Sequence, residues 1–347
     1  MGGGRYGEIV LLFLVHSGQE SLEVVSIEIV LQAVLPVYPI AGAGFFLRKT
    51  RFLTSELDGG LLKLVIHFLY PCLILDKVLG NELLREPAVV GWGIGLGFGL
   101  VMVGFALSWG VSRILGMRKG SGSRTFTLAG GVQNFGYTAV PVLLALFVTE
   151  TSGDRVLGVL FVHSLGVEIA LWVVGVMILT GEFLKSPKSL LNGPIIAVVL
   201  GLLGVYTGAW RLVDADNGPL LGVTIRQGMS WLGACAFPLA LLLIGTLIYD
   251  LLGKEKIDLK VSAGSVFVRN CLMAFLILAF AKYLPLIPEL KQVLVVQAAM
   301  PAAVTPIILA RLYGGQPQVA VQVVITTSLM SLITMPLIIA WGVAWVL

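Results

Sequence analysis

Apolar residues form long continuous runs along this chain, and short polar or glycine-rich segments separate the runs. Ten runs are close to or above the roughly 20 residues that a helix needs to cross the hydrocarbon core of a bilayer. Because lipid offers no partner to open backbone groups, such runs predict membrane-spanning helices, and their continuity excludes the alternating strands of a membrane barrel. The predicted spans, numbered 1 to 10, are 27–47, 58–77, 88–114, 124–148, 155–180, 189–209, 226–250, 260–282, 290–312 and 318–346.

The composition agrees with this pattern. Hydrophobic residues make up 57% of the 347 positions and charged residues only 12%, and the mean hydropathy is +0.98. So few charges cannot cover a soluble surface of this size, so the composition excludes an ordinary cytosolic enzyme. The net charge of +4 indicates basic loops on a membrane protein rather than a nucleic-acid partner.

The distribution of Lys and Arg predicts the orientation of the spans. The loops on the side that includes Arg48, Arg118, Lys188, Lys254 and Arg311 carry 13 of these residues, against 8 on the other side. Because cytoplasmic loops are enriched in Lys and Arg, the richer side is predicted to face the cytoplasm and both termini to lie outside. Residues 1–26 are predicted to be an N-terminal extension, since the apolar run 9–15 is too short to span a bilayer.

Two pairs of prolines indicate an internal repeat. Pro238 lies 167 residues after Pro71, and Pro306 lies 165 residues after Pro141, each within a similar apolar context. A repeat of five spans places its second copy in the opposite orientation. The predicted fold is therefore an all-α membrane protein of two inverted five-helix repeats, residues 27–181 and 189–347, which is typical of secondary transporters.

Spans 4 and 9 contain helix-breaking and polar residues in the middle of their apolar runs. Matching interruptions in two halves indicate a binding site, because broken helix ends expose N–H groups that favour an anion. Simple proline kinks repaired by neighbouring helices are the alternative interpretation. The candidate substrate-binding residues are Gln133, Asn134, Tyr137, Pro141, Pro301, Thr305 and Pro306.

Three of the ionisable residues within predicted spans are further candidates. Glu168 and His163 in span 5 and Arg269 in span 8 are candidates for ion coupling, because ionisable groups inside a membrane are costly and mark function. The alternatives are a structural pair between Glu168 and Arg269, or an arginine that snorkels toward the Lys260 end of its helix. Coupling to H⁺, coupling to Na⁺ and uniport all fit these residues.

Span 3 contains glycines at alternate positions. Gly91, Gly95 and Gly99 share one helical face with the small-xxx-small spacing that allows close helix packing. The span does not form a dinucleotide-binding motif, because no strand-turn-helix context exists inside an apolar run. Close packing through this face is therefore the prediction.

The sequence leaves two other classes of function open. An intramembrane enzyme would need paired aspartates, a Ser/His dyad or an HExxH motif within the spans, and none is found, so no catalytic residue, metal site or cofactor is predicted. A membrane sensor or partner-binding protein on the same fold would not transport a substrate. Neither class explains two matched helix interruptions as directly as a carrier does.

Four segments together resemble the auxin efflux carrier family, which also includes bacterial permeases and is more distantly similar to bile-acid/sodium symporters. The second, fourth, ninth and last helices of that family are matched by residues 69–74 (LYPCLI), 131–141 (GVQNFGYTAVP), 300–304 (MPAAV) and 328–337 (SLMSLITMPL). The connection between spans 5 and 6 is short, as in the bacterial-type members.

The resemblance implies an elevator-type carrier without cofactors that moves a small organic anion across the cytoplasmic membrane. Spans 1, 2, 6 and 7 would form a scaffold that also makes a homodimer, and spans 3–5 and 8–10 would form a moving transport domain. Spans 4 and 9 would cross at their prolines beside the substrate, with Asn134, Pro141, Pro301 and Pro306 at the crossing. The partners would be this anion, membrane lipid and a coupling H⁺ or Na⁺.

Overall fold

The computed structural model describes residues 27–118, 120, 122–147, 153–183, 191–215, 217–251 and 258–347. Every named element in this part of the chain is helical, and the one strand-like feature there is an isolated bridge between Gln133 and Ala302. The prediction of an all-α membrane protein is confirmed at this level. The predicted extension 1–26 and most of the connection between spans 5 and 6 lie outside the described residues.

The α-helices are α1 Ile27–Val34, α2 Val37–Lys49, α3 Ser55–Leu64, α4 Tyr70–Val78, α5 Pro87–Ile114, α6 Ser123–Gly131, α7 Ala139–Phe147, α8 Gly153–Ile169, α9 Val176–Thr180, α10 Gly193–Thr207, α11 Leu220–Ala234, α12 Ala236–Leu251, α13 Leu259–Val266, α14 Ala274–Tyr283, α15 Pro288–Ala299, α16 Thr305–Leu312 and α17 Pro317–Val346. Three π-helical segments continue helices without a break. Val65–Leu69 joins α3 to α4, Ala170–Gly175 joins α8 to α9, and Phe267–Met273 joins α13 to α14.

Six helices within the described residues are long and apolar enough to cross a membrane. They are Glu28–Lys49, Pro87–Ile114, Arg155–Thr180, Leu220–Asp250, Leu259–Tyr283 and Pro317–Val346. These agree with six of the ten predicted spans.

The other four predicted spans do not form long uninterrupted apolar helices. Span 2 is helical from 55 to 78, but charged residues occupy its first turns. Span 6 is helical over only the 15 residues of α10. Spans 4 and 9 are each divided into two short helices, because glycine and proline interrupt the backbone hydrogen bonding.

Two ionic clusters hold the α3–α4 helix against the α11–α12 helix. Near one end, the guanidinium of Arg48 pairs with the carboxylates of Asp58 and Asp250. Near the other end, Nε of Arg226 donates to Asp76 Oδ1 at 2.7 Å. Because each cluster joins the start of one helix to the end of the other, the two helices are antiparallel and are held at both ends.

Close packing of α5 uses a different glycine face from the predicted one. The added Cβ positions of Gly91, Gly95 and Gly99 have no atom within 4 Å. Gly97, in contrast, lies directly against the backbone of His163 in α8, and Gly104 lies against Gly131 in α6. The prediction for the 91/95/99 face was wrong, because a helix that is apolar on all sides gives no sequence signal for the face that packs.

Candidate functional site

The interruptions of spans 4 and 9 are stretches of non-helical backbone. α6 ends at Gly131 and α7 begins at Ala139, and α15 ends at Ala299 and α16 begins at Thr305. The local sequence explains both breaks. Pro301 has no N–H to continue α15, and the glycines around residue 131 tolerate the close approach that an unwound segment requires.

The two interruptions pair with each other through their backbones. The N–H of Asn134 donates to the carbonyl of Pro301 at 2.8 Å, and the N–H of Ala303 donates to the carbonyl of Val132 at 2.9 Å. This antiparallel contact satisfies backbone groups that lipid could not satisfy. The predicted site residues Gln133, Asn134 and Pro301 are therefore brought together at one place.

A cavity of about 660 Å³ lies between this paired region and the α3–α4 and α12 helices. Four of the predicted site residues line it, namely Asn134, Tyr137, Thr305 and Glu168. The remaining predicted residues are not part of its lining. These are Gln133, Pro141, Pro301, Pro306, His163 and Arg269.

Asn134 combines a structural role with access to the cavity. Its side-chain amide donates to Thr138 Oγ1 at 3.0 Å, and the residue is 6% exposed. Its amide oxygen is not engaged by this bond. Nearby, the ring of Tyr137 lies 5.5 Å from the ring of Tyr70, which also lines the cavity. Tyr70 was missed as a site residue, although its position before Pro71 in span 2 was the available signal.

Glu168 is held at the edge of the cavity by two donors. Its Oε2 accepts from Trp172 Nε1 at 2.7 Å and from Asn192 Nδ2 at 3.4 Å. Asn192 also caps α10, because its Oδ1 accepts from the N–H of Ile195 at 3.0 Å, and this fixes the amide with its NH₂ toward Glu168. Glu168 and Arg269 form no ion pair in the structure, so that alternative was wrong.

Several polar side chains are completely buried behind the paired interruptions. Gln133, Gln297 and His163 are all 0% exposed. Neither the amide atoms of Gln133 nor the ring nitrogens of His163 have a hydrogen-bond partner among the described residues. Gln297 Nε2 donates to the carbonyl of Phe135 at 3.1 Å, so Gln297 supports the opposite interruption. Gln297 was missed because one glutamine near the end of a half-helix carries no distinctive pattern.

Arg269 is also buried in this region. It is 0% exposed, and its Nη2 donates to the carbonyl of Gln297 at 3.5 Å. The alternative in which this arginine snorkels to the end of its helix was therefore wrong.

Charged residues line one part of the cavity. The carboxylates are Glu168 and the two aspartates that share Arg48, Asp58 and Asp250, and the basic residues are His67 and Arg311. Within the described residues, no group of three or more His, Cys, Asp or Glu side chains is arranged to hold a metal ion.

A helical membrane protein with two paired helix interruptions beside a cavity has the architecture of a membrane transporter. The family model described as membrane transport protein matches residues 29–189 and 184–339. The chain therefore belongs to this family, and the resemblance to auxin efflux carriers is confirmed. A search of curated proteins finds no match. The more distant relation to bile-acid/sodium symporters stays a prediction.

Proposed function

We propose that this transporter is a secondary carrier for a small organic anion, and that the anion binds in the cavity beside the crossing of spans 4 and 9. The observation that supports this most directly is the position of Asn134, Tyr137 and Thr305. All three belong to the interruptions or their borders, and all three line one cavity of about 660 Å³. This volume is within the range of small-molecule sites.

Helix ends and basic side chains favour an anion in this cavity. α16 begins at the interruption of span 9, and Thr305, Ile307 and Ile308 from its first turn line the cavity, so the positive end of its dipole lies there. Arg311 and His67 add basic groups to the lining. Three carboxylates also line the cavity. Arg48 pairs with Asp58 and Asp250, and Glu168 accepts from Trp172 and Asn192, so each carboxylate has a partner.

The apolar part of the lining favours an anion with an apolar body over a compact dicarboxylate. Leucine and isoleucine side chains from three helices face the cavity, including Leu62, Ile66, Leu243 and Ile308. A compact dianion would leave this surface without contacts and would need a second group of donors. An amphipathic monocarboxylate matches both the helix ends and the apolar wall.

Alternating access is proposed to occur between two groups of helices. Spans 1, 2, 6 and 7 would be the scaffold, held by the Arg48 and Arg226 clusters, and spans 3–5 and 8–10 would move as the transport domain. The cavity lies between these groups, which supports the division. We further propose location in the cytoplasmic membrane with both termini outside, and a homodimer formed through the scaffold.

A ligand screen followed by transport tests this function. The purified transporter is mixed with indole acids, bile acids and dicarboxylates, and the unfolding temperature is recorded. We expect an amphipathic monocarboxylate to raise it, because a ligand that binds only the folded state stabilises that state. Reconstituted vesicles should then take up the same compound. Stabilisation only by cations or neutral solutes, without anion uptake, would contradict the proposal.

Glu168 is proposed as a proton-coupling carboxylate. It reaches the cavity, and the other titratable or charged groups that line the cavity are Asp58, His67, Tyr70, Tyr137, Asp250 and Arg311. Replacing Glu168 with Gln removes the proton-binding group and keeps a side chain of similar size. We expect uptake by wild-type vesicles to accelerate when the outside is made more acidic, and Glu168→Gln to lose this response while exchange of labelled for unlabelled anion continues.

Glu82→Gln is the matched control for this experiment. The Glu82 carboxylate is 63% exposed, pairs with Arg155 and does not line the cavity. This variant should therefore keep the wild-type response to the proton gradient. If Glu168→Gln still accumulates the anion in response to acidification, Glu168 is not the coupling group.

A further inference from the structure

Arg269 carries a positive charge in the interior of the protein without a carboxylate partner. It lies in the π-helical segment Phe267–Met273 and is 0% exposed. Among the described residues it forms no ion pair, and its Nε and Nη1 have no hydrogen-bond partner. An unpaired buried charge destabilises the folded protein, so its presence needs a compensating interaction. Nothing in the proposed anion site uses this residue directly.

The contact that Arg269 does make identifies the compensating charge. Its Nη2 donates to the carbonyl of Gln297 at 3.5 Å, and Gln297 lies in the last turn of α15. The carbonyl of Gln297 accepts from the capping N–H of Met300 at 3.3 Å, and it has no donor four residues later because that residue is Pro301. Carbonyls in a last helical turn carry the negative end of the helix dipole. α15 ends inside the protein, at the interruption, so water at the membrane surface does not screen this negative end.

We propose that Arg269 is a resident cation that neutralises the interior end of α15. In carriers driven by cations, carbonyls at such half-helix ends coordinate the coupling Na⁺. Here the guanidinium supplies that charge permanently, so the end of α15 does not require a bound Na⁺. This inference deepens the proposed function and rests on the interpretation of the interruptions as the transport site.

The neighbouring contacts extend the influence of this charge to the other interruption. The side chain of Gln297 donates to the carbonyl of Phe135 at 3.1 Å, and Phe135 lines the cavity. The positive charge therefore lies behind the proposed anion site, one residue removed from it. Arg269 is a positioning and charge-balancing residue rather than one that touches the substrate.

The test compares unfolding temperatures in NaCl and in choline chloride at equal ionic strength. We expect the wild-type transporter to unfold at the same temperature in both salts. Arg269→Gln, which removes the charge but leaves an oxygen ligand, should be less stable in choline and should gain about 3–5 °C in NaCl. Arg269→Lys keeps the charge and should unfold at the same temperature in both salts. Because the measurement does not involve an anion, it is independent of whether the proposed substrate is transported.

Arg124→Gln is the matched control. Nη1 of Arg124 donates to the carbonyl of Leu179 at 2.9 Å, in the last turn of α9, so it also contacts the end of a helix. That end is followed by the exposed residues 181–183 rather than by an interruption inside the protein, and we expect no response to Na⁺ in this variant. A specific response in Arg269→Gln alone supports the proposal.

Three results would overturn the proposal. The first is a higher unfolding temperature of the wild-type protein in NaCl than in choline chloride. The second is the same unfolding temperature of Arg269→Gln in both salts. The third is a higher unfolding temperature of Arg269→Lys in NaCl. If Arg269→Gln does not fold, the proposal is tested by the unfolding temperatures of Arg269→Lys and the wild type in the two salts. A folded lysine variant that is indifferent to Na⁺ supports a role for the charge, and a lysine variant that also fails to fold contradicts it.

Discussion

Replacing Asn134 with alanine is expected to reduce anion transport by about 10- to 100-fold, because a hydrogen bond to a charged group contributes about 1.5–3 kcal/mol. Asn134 lines the cavity, and its amide oxygen is not engaged by the bond that its NH₂ group donates to Thr138. Its backbone N–H, which donates to Pro301, is retained in the variant. The pairing of the two interruptions should therefore survive, and the protein should fold. Uptake into reconstituted vesicles measures the loss of transport, and the unfolding temperature measures any loss of stability.

Asn270→Ala is the control that matches this change most closely. Asn270 is 6% exposed, as is Asn134, and its Nδ2 donates to Thr334 Oγ1 at 2.8 Å. It does not line the cavity. We expect a comparable loss of stability in the two variants, with transport retained only in Asn270→Ala. Equal transport in both variants would exclude Asn134 as a binding residue.

Replacing Gly97 with valine is expected to cause the largest loss of stability, about 1–3 kcal/mol or more, which is the usual cost of overpacking a close contact. The added side chain would meet the carbonyl oxygen of His163 and the N–H of Val167, which are backbone atoms of α8. Because backbone atoms cannot move aside as a flexible side chain can, α5 and α8 would have to separate. The unfolding temperature of the purified protein and its yield from the membrane both report this effect.

Gly95→Val is the control on the opposite face of α5. A Cβ at position 95 has no atom within 4 Å, so the same substitution meets open space. Its unfolding temperature should remain close to that of the wild type. Similar destabilisation at positions 95 and 97 would show that helix propensity, rather than contact with α8, determines the loss.

The positions of the helix interruptions were predictable from the sequence, and their surroundings were not. Pro141, Pro301 and Pro306 indicated the breaks because proline restricts the backbone locally. The separation of these residues into those that line the cavity and those that do not depends on how the unwound segments turn. Thus Thr305 reaches the cavity, whereas Pro306, the next residue, does not.

The ionisable residues were likewise predictable from the sequence, whereas their partners were not. A carboxylate and a guanidinium within apolar runs predicted functional groups, and pairing between Glu168 and Arg269 was a reasonable alternative on charge alone. The structure gives each a different partner. Glu168 accepts from Trp172 and Asn192, and Arg269 donates to a carbonyl at the end of a half-helix. The carbonyl partner leaves no signal in the sequence, because every residue has one.

The sequence by itself determined the membrane class, the positions of most helices and the places where two helices break. Lipid requires long apolar runs, and proline and glycine act on their own backbone, so these features are encoded locally. The tertiary structure decided which glycine face of α5 packs and which polar groups meet at the cavity. A membrane helix is apolar toward both lipid and protein, so hydrophobicity does not distinguish the two faces, and only the packing of the helices does.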